Sequence, residues 1–269
     1  MSIQKLRKSV NYLVLATGLI TATVVSACSA ESVPVDTASS IEKNDTSKLY
    51  QLGLNYYKGS SVKQDYEKAF NLFQEAASQG DAKSQFQLGV MYDNGESISE
   101  DKAEALKWYK KAAEQGLADA QNSIGMSYFY NQKVEPDFGK SVKWFKRAAA
   151  QGQPESQYHL GLFYENGYDR PIDYKKAIKW YQKSAEQGFT PAQYNLGTLY
   201  LNGKGIEKNY IKAQKWYQKA ADLGFSPAQH NLGVMYEKSM GIKQDYEKAA
   251  YWYKKAADQD LNRPDFIGG

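Results

Sequence analysis

Residues 101–128 read DKAEALKWYKKAAEQGLADAQNSIGMSY, and two stripes within them decide the fold. Ala105, Trp108, Tyr109, Ala112 and Ala113 fall at i, i+3, i+4, i+7 and i+8, and Gln121, Ile124, Gly125 and Tyr128 at i, i+3, i+4 and i+7. Each set is one face of a helix. Asp101 stands where a side-chain oxygen caps the free amides of the first stripe. Gly116 stands where a left-handed residue ends it. The stretch is two helices joined by a tight turn.

The same pattern runs along the chain. Leu52-Gly53, Leu88-Gly89, Ile124-Gly125, Leu160-Gly161, Leu196-Gly197 and Leu232-Gly233 recur at intervals of 36, each with a tyrosine three residues after the glycine. The five tryptophans, Trp108, Trp144, Trp180, Trp216 and Trp252, keep the same interval, with Leu72 at that place in the first copy. Asp65, Asp101, Asp137, Asp173, Asn209 and Asp245 precede the second helix of each unit. A fixed period of this length marks stacked repeats, each burying its apolar face on its neighbours. The expected fold is all-α, a solenoid of six 36-residue helix-turn-helix repeats over residues 47–260. A glycine inside a helix costs about 1 kcal/mol relative to alanine, so its presence in all six first helices implies close packing. The Trp-aromatic pair is expected to fill the space beside it. Five in-phase glutamines, Gln85, Gln121, Gln157, Gln193 and Gln229, sit in the packing stripe and predict a hydrogen-bonded ladder to the preceding loop.

The pattern A-Q-x-x-L-G-x-x-Y-x-x-G followed by D-x-x-x-A-x-x-W-Y-x-x-A-A-x-x-G resembles the Sel-one-like repeat family, relatives of the tetratricopeptide repeat. Gly59, Gly95, Gly167 and Gly203 close the first helices, but Asn131 and Ser239 replace them in two units. The resemblance implies a right-handed superhelix whose first helices line a concave, protein-binding groove. A stripe rotated by about 110° from the packing stripe would face that groove. Its rows are Tyr50, Phe86, Asn122, Tyr158, Tyr194 and His230; Leu54, Val90, Met126, Leu162, Thr198 and Val234; and Tyr57, Asp93, Phe129, Glu165, Leu201 and Glu237. The middle row serves equally to pack under the next repeat. Aromatics with a few charges have the composition of binding hot spots.

Catalytic chemistry finds no foothold in the sequence. The two histidines, His159 and His230, occupy non-equivalent repeat positions, have no second ligand at metal spacing, and read as surface residues. Asn202-Gly203-Lys204-Gly205 lacks the strand of a phosphate loop and reads as a turn. No metal, cofactor or small-molecule substrate is expected. The family includes cysteine-paired members linked to β-lactams, but this chain has a single cysteine. An enzyme of the cell wall or of β-lactams is therefore the least favoured reading. The first is a non-catalytic scaffold holding a partner protein. The alternative, implied by the resemblance, is a periplasmic immunity protein neutralising a phospholipase-type toxin.

The N-terminus bears on location. Lys5, Arg7 and Lys8 precede an uncharged apolar run from about Tyr12 to Val25, the form of a secretory signal over residues 1–27. At about 14 residues the run is short of the roughly 20 needed to cross a bilayer. Val25-Ser26-Ala27-Cys28 resembles the lipobox of bacterial lipoproteins, which implies lipidation of Cys28, and Ser29 implies an outer-membrane anchor facing the periplasm. Residues 28–46 are small and polar and read as a disordered tether. Removing residues 1–27 takes away three positive charges and brings the formal charge from +4 to +1, which argues against nucleic acid as partner. At the other end, Leu261, Phe266 and Ile267 in the tail 261–269 are expected to cap the last repeat.

Overall fold

The computed structural model describes residues 45–130 and 136–261, the last two without their side chains. The expected signal, Cys28, most of the tether, Asn131 and the tail beyond Leu261 lie outside them. Twelve helices and no strand are present among the described residues. They are α1 (Thr46–Lys58), α2 (Tyr66–Ser78), α3 (Ala82–Asn94), α4 (Lys102–Glu114), α5 (Ala118–Phe129), α6 (Phe138–Ala150), α7 (Pro154–Asn166), α8 (Tyr174–Glu186), α9 (Thr190–Asn202), α10 (Tyr210–Asp222), α11 (Ser226–Glu237) and α12 (Tyr246–Leu261). Each helix packs chiefly on its neighbours in sequence, which makes the molecule an all-α solenoid of six hairpins.

Local chemistry sets the helix ends. Asp65, Asp101, Asp137, Asp173, Asn209 and Asp245 each accept a backbone amide of the first turn that follows, at 2.8–3.0 Å. Asp45 does the same for α1, so the last two residues assigned to the tether belong to the first repeat. At the far end of α2, Gly80 has φ +94° and donates to Ala77, while Asp81 donates to Ala76, and this left-handed closure recurs in the next four repeats. Ser239 takes the left-handed conformation at φ +55° without being glycine, and its hydroxyl donates to the carbonyl of Ile242.

The helical glycines mark the closest approach, but the partner is the aromatic ring after the tryptophan. A Cβ on Gly53, Gly89, Gly125, Gly161, Gly197 or Gly233 would lie 2.4–2.8 Å from the ring of Phe73, Tyr109, Phe145, Tyr181, Tyr217 or Tyr253. Most of those rings are fully buried. The tryptophans instead lie half-buried toward the outside, each leaning on the core of the preceding repeat. Only Trp252 is nearly covered. The full cost of losing a buried aromatic therefore attaches to the tyrosine or phenylalanine, and less of it to the tryptophan.

The glutamine ladder exists, with a different anchor. Gln85, Gln121, Gln157, Gln193 and Gln229 donate at 3.1–3.3 Å to the carbonyl eight residues earlier, in the last turn of the preceding second helix and not in the loop. Gln115, Gln151 and Gln187 then donate to the first three of these amides from one repeat further on. Leu223 replaces the next donor, and the Oε1 of Gln193 has no partner among the described residues.

Candidate functional site: the first-helix face

The first helices α5 and α7 pack on one another directly, and no two second helices approach to that extent. At that junction the solenoid bends toward its first helices, whose accessible face is the candidate site. The three rows expected there fare differently. Leu54, Val90, Met126, Leu162, Thr198 and Val234 are half-buried in every repeat, so the middle row both packs on the core and remains open to solvent. In the first row Tyr50, Phe86 and Tyr194 are half-buried and His230 is exposed.

Three of the expected groove residues are not available to a partner. Tyr158 is 0% exposed, packed against Tyr181 and Phe189. Phe129, at 4%, sits among Phe138, Phe145, Phe163 and Tyr168. Asn122 is buried because it ties the third repeat to the fourth: its Nδ2 donates to Glu155 at 2.8 Å and its Oδ1 accepts from Ser156 at 2.6 Å. His159 is also buried, at 1%, against the surface expected for it. Its ring stacks on Phe145 with centroids 4.7 Å apart, and Phe129, Tyr130 and Tyr158 close the other sides.

The third row has an internal task that sequence reasoning missed. The hydroxyl of Tyr181 donates to Glu165 at 2.6 Å, that of Tyr253 to Glu237 at 2.8 Å, and that of Tyr109 to Asp93 at 3.4 Å. Each acid pins the ring that covers its helix's glycine. Where that ring is phenylalanine, the acid is replaced by Tyr57 or Phe129, and Leu201 accompanies a Tyr217 whose hydroxyl pairs with Thr198 instead. Tyr57 donates to Glu96 of the next repeat. Burial pushes the carboxyls of Glu155 and Glu165 above the usual carboxylate range. These shifts arise from packing, and each acid is already bonded within the fold.

The six hairpins and the alternation of Leu-Gly and Trp-aromatic faces match the Sel1 repeat model over residues 49–81, 82–117, 118–153, 154–189, 190–225 and 226–261. The chain belongs to the Sel1 repeat family. Such repeats are scaffolds typical of protein–protein interaction. Among solved structures, this Sel1 repeat chain is similar to a protective antigen of uropathogenic Escherichia coli, at 36% identity and TM-score 0.73, over 80% of this chain and 46% of that one. The chain thus spans about half the length of that relative. A Sel1 repeat protein from Oxalobacter formigenes is 32% identical, with TM-score 0.73, over 80% of this chain and 86% of that one. An immunity protein from Pseudomonas aeruginosa shares the fold at 22% identity and TM-score 0.55, over 82% and 85% of the two chains. None of the curated proteins is a match to this sequence.

Proposed function

We propose that this Sel1 repeat protein is a non-catalytic scaffold of the bacterial cell envelope that holds a partner protein along its first-helix face. The observation that carries this is the strip Leu54, Val90, Met126, Leu162, Thr198 and Val234, apolar in five of six repeats and half-open in all of them. A largely apolar strip flanked by Tyr50, Tyr57, Phe86 and Tyr194 suits an extended or helical segment of a partner. The fifth repeat already carries threonine at this position, so Val90→Thr, Met126→Thr and Leu162→Thr together should be tolerated by the fold. With a photo-crosslinking residue at Thr198 in living cells, the wild type should give a discrete adduct. The triple variant should lose most of it while its melting temperature stays within a few degrees. An adduct of undiminished yield in the triple variant would overturn the groove assignment.

We further propose that Cys28 carries the lipid that holds the scaffold at the membrane, on the strength of Val25-Ser26-Ala27-Cys28. A fatty-acid analogue fed to cells should label the wild type and leave Cys28→Ser unlabelled. Label on the serine variant would remove the anchor from the proposal.

A further inference from the structure

Charge is sorted between the two faces of the solenoid. In repeats two to five the second helices α4, α6, α8 and α10 hold fifteen lysines and arginines against four acids, Glu104, Glu114, Glu186 and Asp222. The first helices of the same repeats, α3, α5, α7 and α9, hold one cation, Lys83, against Asp93, Asp119, Glu155 and Glu165.

The excess is concentrated in one ladder. Each of the first four tryptophans is flanked by cations one residue before and three residues after it: Lys107 and Lys111, Lys143 and Arg147, Lys179 and Lys183, Lys215 and Lys219. All eight are exposed. The later member of each pair rests over the indole, 3.8–4.9 Å from its centroid. That contact holds the four later cations at fixed places along the outer face. Like charges at i and i+4 on a helix destabilise it by a few tenths of a kcal/mol per pair. Of these eight, only Lys107 stands in a salt bridge, with Glu104 at 2.7 Å. Solubility alone is served by interspersed charges of both signs. Three like-charge pairs in register without a salt bridge, Lys143/Arg147, Lys179/Lys183 and Lys215/Lys219, are a cost within the fold, and an external anion would relieve it.

We infer that the outer face made by α4, α6, α8 and α10 docks on an anionic lipid surface, which leaves the first-helix strip turned away from the membrane. The ladder crosses four adjacent repeats, and helices pack about 8–10 Å apart, so several cations can meet headgroups together. The attraction is electrostatic: each lysine near an anionic bilayer contributes roughly a fivefold gain in affinity, and the effect fades within a Debye length. The inference stands apart from the groove assignment, because it uses different residues.

Lys143→Glu, Lys179→Glu and Lys215→Glu together make the test. Each places a glutamate four residues before Arg147, Lys183 or Lys219, the favourable orientation for a helical ion pair, so the variant should fold at least as well as the wild type. The mature chain from residue 28 onward carrying Cys28→Ser, which removes the proposed acyl site and lacks the apolar signal, would be floated with phosphatidylcholine vesicles containing phosphatidylglycerol. Wild-type charge should give binding that weakens steeply with salt and is absent on pure phosphatidylcholine. The triple reversal should weaken binding by about 100-fold or more, and the groove variant Val90→Thr, Met126→Thr, Leu162→Thr should bind as the wild type does. Binding unmoved by the reversal, or none to anionic vesicles at low salt, would overturn the inference. Poly-glutamate captured where vesicles are not would also overturn it, by assigning the face to an acidic polypeptide.

Discussion

Gly161→Ala should destabilise the protein by about 1–3 kcal/mol, although alanine is the better helix former by about 1 kcal/mol. The added methyl would lie 2.4 Å from two carbons of the Tyr181 ring, and that ring has no room to yield. It is fully buried, its hydroxyl donates to Glu165 at 2.6 Å and accepts from Asn195 at 3.2 Å. Tyr181→Ala should cost more, about 3–5 kcal/mol, because it empties the site and deprives a largely buried carboxylate of its donor. The informative quantity is the cycle. Once the ring is gone, Gly161→Ala meets nothing on that side and should turn stabilising, by up to about 1 kcal/mol, which implies a coupling of roughly 2–3 kcal/mol. Urea midpoints of the four proteins measure it. The same sign for Gly161→Ala in both backgrounds would show that the glycine is there for some reason other than the ring.

That pairing also shows what the sequence could and could not reveal. The hairpins, their caps and the glycine's need for a close neighbour were legible, because six copies in phase average away whatever any single residue does. The identity of the neighbour was not, since Trp and the residue after it are both large and aromatic and stand only 100° apart on a helical wheel. A signal was available in the differences between copies. Acids at positions 93, 165 and 237 accompany tyrosines at 109, 181 and 253, and the phenylalanines at 73 and 145 accompany Tyr57 and Phe129. Sixteen residues separate each pair, which is one hairpin crossing.

The groove residues were harder to place for a related reason. A wheel treats each helix as a smooth cylinder, whereas burial depends on what the next repeat supplies. At the junction of repeats three and four, Phe129, Phe138, Phe145, Phe163 and Tyr168 are so bulky that they form one cluster, and it draws Phe129 off the groove face. At the equivalent of Phe129 in the sixth repeat, Glu237 remains exposed. Equivalent repeat positions thus reach opposite fates, decided by the residue itself and by the side chains that the next repeat supplies.

The same junction should make the protein sensitive to mild acid. His159 is enclosed by Phe129, Tyr130, Phe145 and Tyr158, and neither ring nitrogen has a hydrogen-bond partner among the described residues. Loss of solvent lowers its pKa from 6.5 to about 3. The folded state therefore refuses a proton that the unfolded chain accepts below about pH 6.5, so stability is intact above that pH and falls as the pH drops toward 3. Between pH 7.5 and pH 5 the loss should be roughly 2 kcal/mol. Glu155 and Glu165 act in the opposite direction: their carboxyls are raised by burial, so the folded state takes up protons sooner than the unfolded chain, which adds stability on acidification. A wild-type pH profile alone would mix the two effects. The difference between wild type and His159→Phe removes the carboxylates, which both proteins share, and the phenylalanine keeps a ring to stack on Phe145. That difference, from urea unfolding at pH 7.5 and pH 5, should move by about 2 kcal/mol in favour of the variant as the pH falls. A difference that stays constant over this range would mean that the imidazole is reached by water or by an acceptor, and that the junction opens far more readily than its packing implies.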